Sequence, residues 1–266
     1  MTEHPTTSDT GKIAIKEQLQ AKGITECAFL DAAFLRILLP ERMPEGIRGA
    51  ALFLIPYYTG AHPERNVSLY SVSKDYHLFS RSLAGEVLPV LQEAFPGEQF
   101  HMFCDSSPID EVRAALAAGL GVLGQNRLLI HPVYGSFVFI GSILTSIPFP
   151  DEEKELQRCI GCGRCKAECA FLRGEAAACT SELNQRKALT EEELALVYSK
   201  TIRWGCDTCQ EVCPMNRAVP NTPIGFFYEE QIPVLTKERL LSMTKSEFRA
   251  RAYAWRGKTT ILRNLS

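Results

Sequence analysis

Eight of the ten cysteines of this 266-residue chain crowd between Cys159 and Cys213, and no other feature restricts the fold as tightly. The first run reads Cys159-x2-Cys162-x2-Cys165-x3-Cys169, Cys179 follows alone, and the second run reads Cys206-x2-Cys209-x3-Cys213-Pro214. Thiolates this closely spaced, on a loop loosened by Gly161 and Gly163, converge on one face of an iron–sulfur cubane. In two-cluster ferredoxins the fourth cysteine of a run ligates the other cluster. The spacing therefore predicts a ferredoxin-like module with two [4Fe–4S] clusters, whose two loops exchange a ligand. Zinc is the competing reading, because Cys159, Cys162, Cys206 and Cys209 suit one tetrahedral all-thiolate site. That reading leaves Cys165, Cys169, Cys179 and Cys213 without a task.

The remaining composition is that of a globular protein, with 45% hydrophobic residues and a formal net charge of −2. Nothing in the overall charge advertises nucleic acid, so any RNA contact needs a local basic patch. No apolar run has transmembrane length, and the first eleven residues lack the apolar stretch of a signal peptide. The expectation is a cytoplasmic monomer with no membrane contact, whose thiols stay reduced. Cys27 and Cys104, set among apolar residues, read as packing residues.

Along the chain, residues 1–11 read as a disordered tail. Residues 12–157 read as an α/β (α+β) layered domain in which strands alternate with helices. Its elements are a helix over 13–22 and strands over 26–29, 49–57, 99–104, 128–130 and 136–144. Further helices are expected over 75–95 and 108–118, with a glycine loop over 119–124. Residues 158–225 form the cysteine module, spaced by a helix that Thr190 and Glu193 open as a capping box. A helical tail, 226–266, ends in a basic stretch.

Three segments together support a family resemblance. Residues 104–149 (CDSSPIDEVRAALAAGLGVLGQNRLLIHPVYGSFVFIGSILTSIPF), Tyr70–His77 (YSVSKDYH) and Gly205–Asn216 (GCDTCQEVCPMN) resemble signature segments of the epoxyqueuosine reductase family. The isolated Cys179 followed by Ser181 matches as well. The resemblance implies a cobalamin enzyme with two [4Fe–4S] clusters, its cobalamin domain similar to that of reductive dehalogenases. Such an enzyme reduces the epoxide of epoxyqueuosine in tRNA to queuosine, with electrons from an external donor such as ferredoxin or flavodoxin. By position it implies Cys159, Cys162, Cys165 and Cys213 for one cluster, and Cys169, Cys179, Cys206 and Cys209 for the other. Cofactor contacts fall on Tyr57, His77, Ser106, Gly121, Gly124, Asn126, Ser136, Gly141 and Ser181. Asp105 matches the family's proton donor. Read from its local sequence, an Asp before Ser-Ser-Pro is equally a helix cap. The chain departs from the pattern at Gln125, Ala170 and Leu69, and reads as a short form without the C-terminal helical repeats.

Other signals stay open at this level. Asp75-Tyr76-His77 resembles part of a cobalamin motif, yet His77 fits a structural or pocket-lining role better than cobalt ligation. The Gly119–Gly124 loop follows a helix and precedes a strand, the reverse of a dinucleotide fingerprint; its glycines fit close approach to a flat corrin. Ser136, Ser142 and Thr145 suit corrin amides or a sheet edge. Arg249, Arg251, Arg256, Lys258 and Arg263, with Tyr253 and Trp255, suit RNA contacts or a solvated helix face. Two rival functions remain: a cobalamin-dependent reductase of a small molecule, and a plain iron–sulfur electron carrier.

Overall fold

The computed structural model describes residues 6–265, divided into two compact units. The first comprises residues 1–56 and 79–161, the second 57–78 and 162–266. Chain order begins α1 (Thr7–Gln20), β1 (Cys27–Asp31), β2 (Gly49–Pro56), α2 (Leu69–Val72), α3 (Tyr76–Ala94), β3 (Phe100–Cys104) and α4 (Glu111–Ala117). It continues with β4 (Val122–Leu123), β5 (Leu129–Ile130), β6 (Val138–Thr145), α5 (Arg164–Glu168), α6 (Ala170–Arg173) and α7 (Thr180–Leu183). The last helices are α8 (Glu191–Tyr198), α9 (Thr208–Glu211), α10 (Lys237–Ser242), α11 (Lys245–Arg249) and α12 (Lys258–Asn264).

The first unit is built on a four-stranded sheet, order β1-β2-β6-β3, antiparallel throughout. This settles the layered expectation as a mixed fold of the α+β kind. The unbroken apolar run of β2 explains its central place, because every residue of that strand is buried. Ala114–Ala118 of α4 and its C-terminal cap pack with Leu52, Leu54, Leu144 and Ile109 into one core. Gly141 of β6 faces Phe53 of β2 in the register, and a methyl group there would overlap the Phe53 ring.

Two expectations about the ends of the chain are corrected. Helix α1 starts at Thr7, so residues 7–11 are helical rather than a disordered tail; residues 1–5 lie outside the described set. A reciprocal cap explains the early start: Thr6 Oγ1 accepts the Asp9 N–H at 3.2 Å while the Asp9 side chain accepts the Thr6 N–H. Residues 226–266 are no appended tail either. Leu235, Leu240, Met243, Tyr253 and Ile261 share the buried core of the second unit with Val67, Val72 and Trp204. Residues 57–78 belong to that unit too, so the module begins well before the first cysteine run.

The glycines give a paired stability test. Gly141→Ala should destabilise the chain by about 1–3 kcal/mol through overpacking. Gly85→Ala, at an open position within α3, should stabilise it by up to about 1 kcal/mol. Chemical denaturation of both variants checks the signs, and equal effects would contradict the packing described.

Candidate functional site

The second unit gathers the two cysteine runs. Cys165 lies in α5, Cys209 in α9, and these two short helices pack against each other. Cys169, between α5 and α6, Cys179, the cap of α7, and Cys206 all line one small cavity of about 30 Å³. Its other lining residues include Phe171, Leu196, Lys200 and Thr208. Three members of the set Cys169, Cys179, Cys206 and Cys209 are therefore brought to one place by segments 37 residues apart at their extremes. Burial pushes the Cys179 thiol above its ordinary range, and the neighbouring Cys206 and Cys169 push it further. The backbone amides of Ser181 and Glu182 act the other way, donating to the Cys179 sulfur. Ser181 thus serves the second cysteine set through its backbone, while its side chain meets Gln185.

Such a donor set fits a polynuclear cation. Crowded, half-buried thiolates repel one another, and a metal cluster removes that repulsion by taking their charge. Among the described residues, no three His, Cys, Asp or Glu side chains converge as ligands of a single metal ion. All ten cysteines are free thiols. Of the other set, Cys165 is buried, Cys162 exposed and Cys213 half-buried in the second unit. Cys159 belongs to the first unit, where its N–H donates to the Leu123 carbonyl at 3.0 Å.

A buried ionic knot braces the loop that carries Cys206 and Cys209. Asp207, 1% exposed, accepts from the Arg65 guanidinium at 3.0 Å, from Ser68 Oγ at 2.5 Å and from the Leu69 N–H at 2.8 Å. Arg65 also pairs with Glu211. Burial still holds the Asp207 carboxyl above the usual range against these contacts. One residue earlier, Gly205 is left-handed at φ 71° and leaves no room for a side chain beside Ser68. Its carbonyl accepts from Asn184 Nδ2 at 2.6 Å, and the Asn184 carbonyl accepts from Asn264 Nδ2 at 2.6 Å. The extreme C-terminal helix therefore reaches back, through two buried amides, to fix the cysteine loop.

Tyr57 joins the same unit. It is buried, its hydroxyl lies within 3.5 Å of the Gln210 amide, and burial, then the Asp207 charge, pushes its pKa well up. His77 is half-exposed, bonded to Asp75 Oδ1 at 2.8 Å and stacked on Tyr76. The structure thus gives His77 a local partner through its Nδ1 edge.

Within the first unit, three of the expected cofactor contacts have internal tasks. A methyl group on Gly121 would collide with the Ile130 carbonyl, one on Gly124 with Asn126 Oδ1, and one on Gly141 with Phe53. Close packing inside the protein therefore accounts for these glycines without a corrin. Asn126 is buried, its Oδ1 accepting the Leu128 N–H at 3.3 Å. Ser136 is buried just ahead of β6, outside the strand. Ser142 and Thr145 lie fully buried in β6, an inner strand, which rules out the sheet-edge reading.

Asp105 and Ser106 follow β3 directly, both exposed and both left-handed, at φ 57° and 46°. The capping alternative fails, because the cap of α4 is Asp110, whose side chain accepts the Arg113 N–H at 3.1 Å. Glu111, a half-buried residue the sequence reading passed over, instead carries the buried carboxyl oxygen of this region, Oε1. Burial, with the Asp105 charge second, pushes Glu111 up to about 8, while a hydrogen bond from the Asp105 backbone pulls it down. The available signal was its place three residues after Pro108, at the first turn of a helix that is apolar apart from Glu111 and Arg113.

The basic C-terminal stretch is largely tied up. Arg251 and Tyr253 are buried, Lys258 donates to the Leu241 and Met243 carbonyls, and Arg263 to those of Arg186 and Lys187. Both the RNA and solvated-face readings shrink to Arg249, Trp255, which is 62% exposed, and Arg256, stacked on it at 3.8 Å. Among the described residues no helix is long and apolar enough to cross a membrane.

No family model matches the chain. An epoxyqueuosine reductase of Listeria monocytogenes is 33% identical over 206 residues, 71% of this chain and 53% of the relative. The chain belongs to the epoxyqueuosine reductase family. It spans about half the length of that relative. A crystal structure of an epoxyqueuosine reductase with an epoxyqueuosine-modified tRNA-Tyr stem loop superposes with TM-score 0.79, over 96% of this chain and 80% of that one, at 23% identity. A reductive dehalogenase, whose structure is described as suggesting a mechanism for B12-dependent dehalogenation, superposes with TM-score 0.50 at 17% identity, over 100% of this chain and 39% of that one. Both likenesses speak to the fold. The cysteine-rich region between Cys159 and Cys213 lies within this chain.

Two outcomes follow from the buried charges. Arg65→Ala leaves Asp207 unpaired in the interior and should cost about 3–5 kcal/mol in chemical denaturation. Glu111 binds its proton more tightly folded than unfolded, so its stabilising contribution is complete below about pH 4.5 and lost as pH rises through about 8. Glu111→Gln should therefore gain thermal stability relative to wild type on going from about pH 5 to about pH 9. A constant difference across that range would show that Glu111 does not titrate upward in the folded protein.

Proposed function

We propose that the chain is a reductase of the epoxyqueuosine type, removing an epoxide oxygen from the modified nucleoside of a tRNA. The observation that carries this reading is the meeting of Cys169, Cys179 and Cys206 at one small cavity, in a chain of this family. On this reading one [4Fe–4S] cluster is held by Cys169, Cys179, Cys206 and Cys209, and the other by Cys159, Cys162, Cys165 and Cys213. Cobalamin belongs to the same reading, with Tyr57, His77, Ser106, Asn126, Ser136 and Ser181 as the expected contacts not already explained by glycine packing. Bound to the chain, these groups would supply the two electrons that epoxide reduction consumes, drawn from a ferredoxin- or flavodoxin-class donor.

The protein's own part is protonic. Converting an epoxide to an alkene breaks two C–O bonds, forms one C=C bond, and releases the oxygen as water after it takes up two protons. Asp105 is assigned to deliver a proton to that oxygen. It stands exposed at the end of β3, where a bound substrate can meet its carboxyl group. The Arg65–Asp207 knot and the Asn264–Asn184–Gly205 relay hold the cysteine loop rigid, as electron transfer through fixed centres requires.

One observation favours reduction of a small molecule instead. Most of the basic tail serves the chain's own carbonyls, leaving few cations free for an RNA backbone there. Anaerobically prepared protein containing cobalamin, given an epoxyqueuosine-modified stem loop and a chemical reductant, should yield the queuosine product. Asp105→Ala should lose turnover by about 100-fold or more with cobalt content unchanged. An intact epoxide after incubation with wild-type protein would refute the tRNA reading, and a fully active Asp105→Ala would refute the donor role.

A further inference from the structure

We propose that Trp255, with Arg256 and Arg249 beside it, is a stacking platform for one unpaired nucleotide of the substrate RNA. The inference rests on the RNA reading given above and deepens it, naming the side chains that meet the nucleotide in a stretch where most cations are engaged elsewhere.

Residues 237–266 carry eight Lys and Arg side chains against Glu238 and Glu247 alone, so the segment is strongly positive. The structure sorts its cations into two kinds. Arg239 pairs with Glu247 at 3.3 Å, and Arg251 donates to the Val72 carbonyl at 2.6 Å. Lys258 donates to the Met243 carbonyl at 3.1 Å, and Arg263 to the Arg186 carbonyl at 2.8 Å. The side chains of Arg249 and Arg256, by contrast, have no hydrogen-bond or ion-pair partner among the described residues. They lie on adjoining elements: the turn over 254–256 packs against α11, which ends at Arg249, and against α12.

A tryptophan stands with them. Trp255 is 62% exposed, more than any other Phe, Tyr or Trp among the described residues, whereas Trp204 is fully buried. The Arg256 guanidinium lies 3.8 Å from the centre of the indole. A ring with one face so covered, and most of its surface still exposed, has its opposite face open. The mount is firm. Tyr253, two residues earlier, is fully buried, the Gly257 N–H donates to the Ala254 carbonyl at 3.0 Å, and the Asp75 N–H donates to the Ala250 carbonyl at 2.8 Å. The Arg256 Nε–H is buried without a partner, so stacking on the indole positions this side chain. An open ring face beside unengaged cations is complementary to both parts of a nucleotide: the base stacks, whatever its identity, and the phosphate accepts from guanidinium N–H groups. A paired stem hides the faces of its bases, so the occupant is an unpaired one. A second copy of the chain fits less well, because a symmetric contact through this face would set two positive segments together.

The test measures binding of a fluorescently labelled, epoxyqueuosine-modified stem loop to the full-length protein loaded with its cofactors, by anisotropy. Trp255→Ala should weaken binding by about tenfold, and Trp255→Phe, which keeps a ring, should stay within about threefold of wild type. Arg249→Ala and Arg256→Ala should each flatten the slope of log affinity against log salt by about 0.7. Abasic replacement of each unpaired loop nucleotide in turn should find one position that costs wild type about tenfold and costs Trp255→Ala nothing further. Binding by Trp255→Ala within about twofold of wild type would overturn the platform while leaving the tRNA reading intact. Self-association that Trp255→Ala abolishes at unchanged RNA affinity would overturn it too, assigning the ring to a second copy. Wild-type protein that binds the stem loop through Trp255 and leaves the epoxide intact would uphold the platform and overturn the reductase reading instead.

Discussion

Crowded thiols are the constraint on which the second unit turns. Cys169, Cys179 and Cys206 meet around one small cavity, where Cys206 and Cys169 raise the cost of ionising Cys179. A cluster of iron and sulfide turns the same crowding into an advantage, since it takes up the charge that the three sulfurs cannot otherwise share. The surrounding structure is arranged to keep them there. Amides at the start of α7 aim at Cys179, the buried Asp207 pins the following loop to Arg65, Ser68 and Leu69, and Asn264 closes the relay from the far end of the chain.

That arrangement explains why the C-terminal residues are part of the core. Trp204 directly precedes Gly205 and Cys206, and it is packed by Tyr253, whose ring stands edge-on at 6.2 Å. Removing the tail would uncover Trp204 and free Asn184, loosening the cysteine loop from two sides. Arg251, Lys258 and Arg263 are accordingly turned inward to carbonyl groups, while Arg249 is exposed and Arg256 stacks on the exposed Trp255.

The sequence made local features legible wherever a residue and its neighbours suffice. The apolar run 49–57 became the buried strand β2, and Thr190 with Glu193 became the capping box of α8. The grouping of Cys169, Cys179 and Cys206 was implied by the family resemblance, by position, and all three residues line one cavity. What depended on distant partners was hidden. The glycines of the 119–124 loop looked like room for a ligand, whereas Ile130 and Asn126 occupy that room. Asp105 read locally as a helix cap; it is exposed, and Asp110 takes the cap instead. The start of α1 was missed although Thr6 and Asp9 spell a cap, because the polar residues around them mimic a solvated tail.

The central claim is that thiolates from two separate runs share a pair of cubanes. Iron and acid-labile sulfide, counted per chain after oxygen-free reconstitution, test it most directly. The account predicts about eight of each in the wild-type protein and about four of each in Cys179→Ser, whose serine lies in only one of the two ligand sets. Zinc alone in the wild type, or an unchanged iron content in the Cys179 variant, would contradict it.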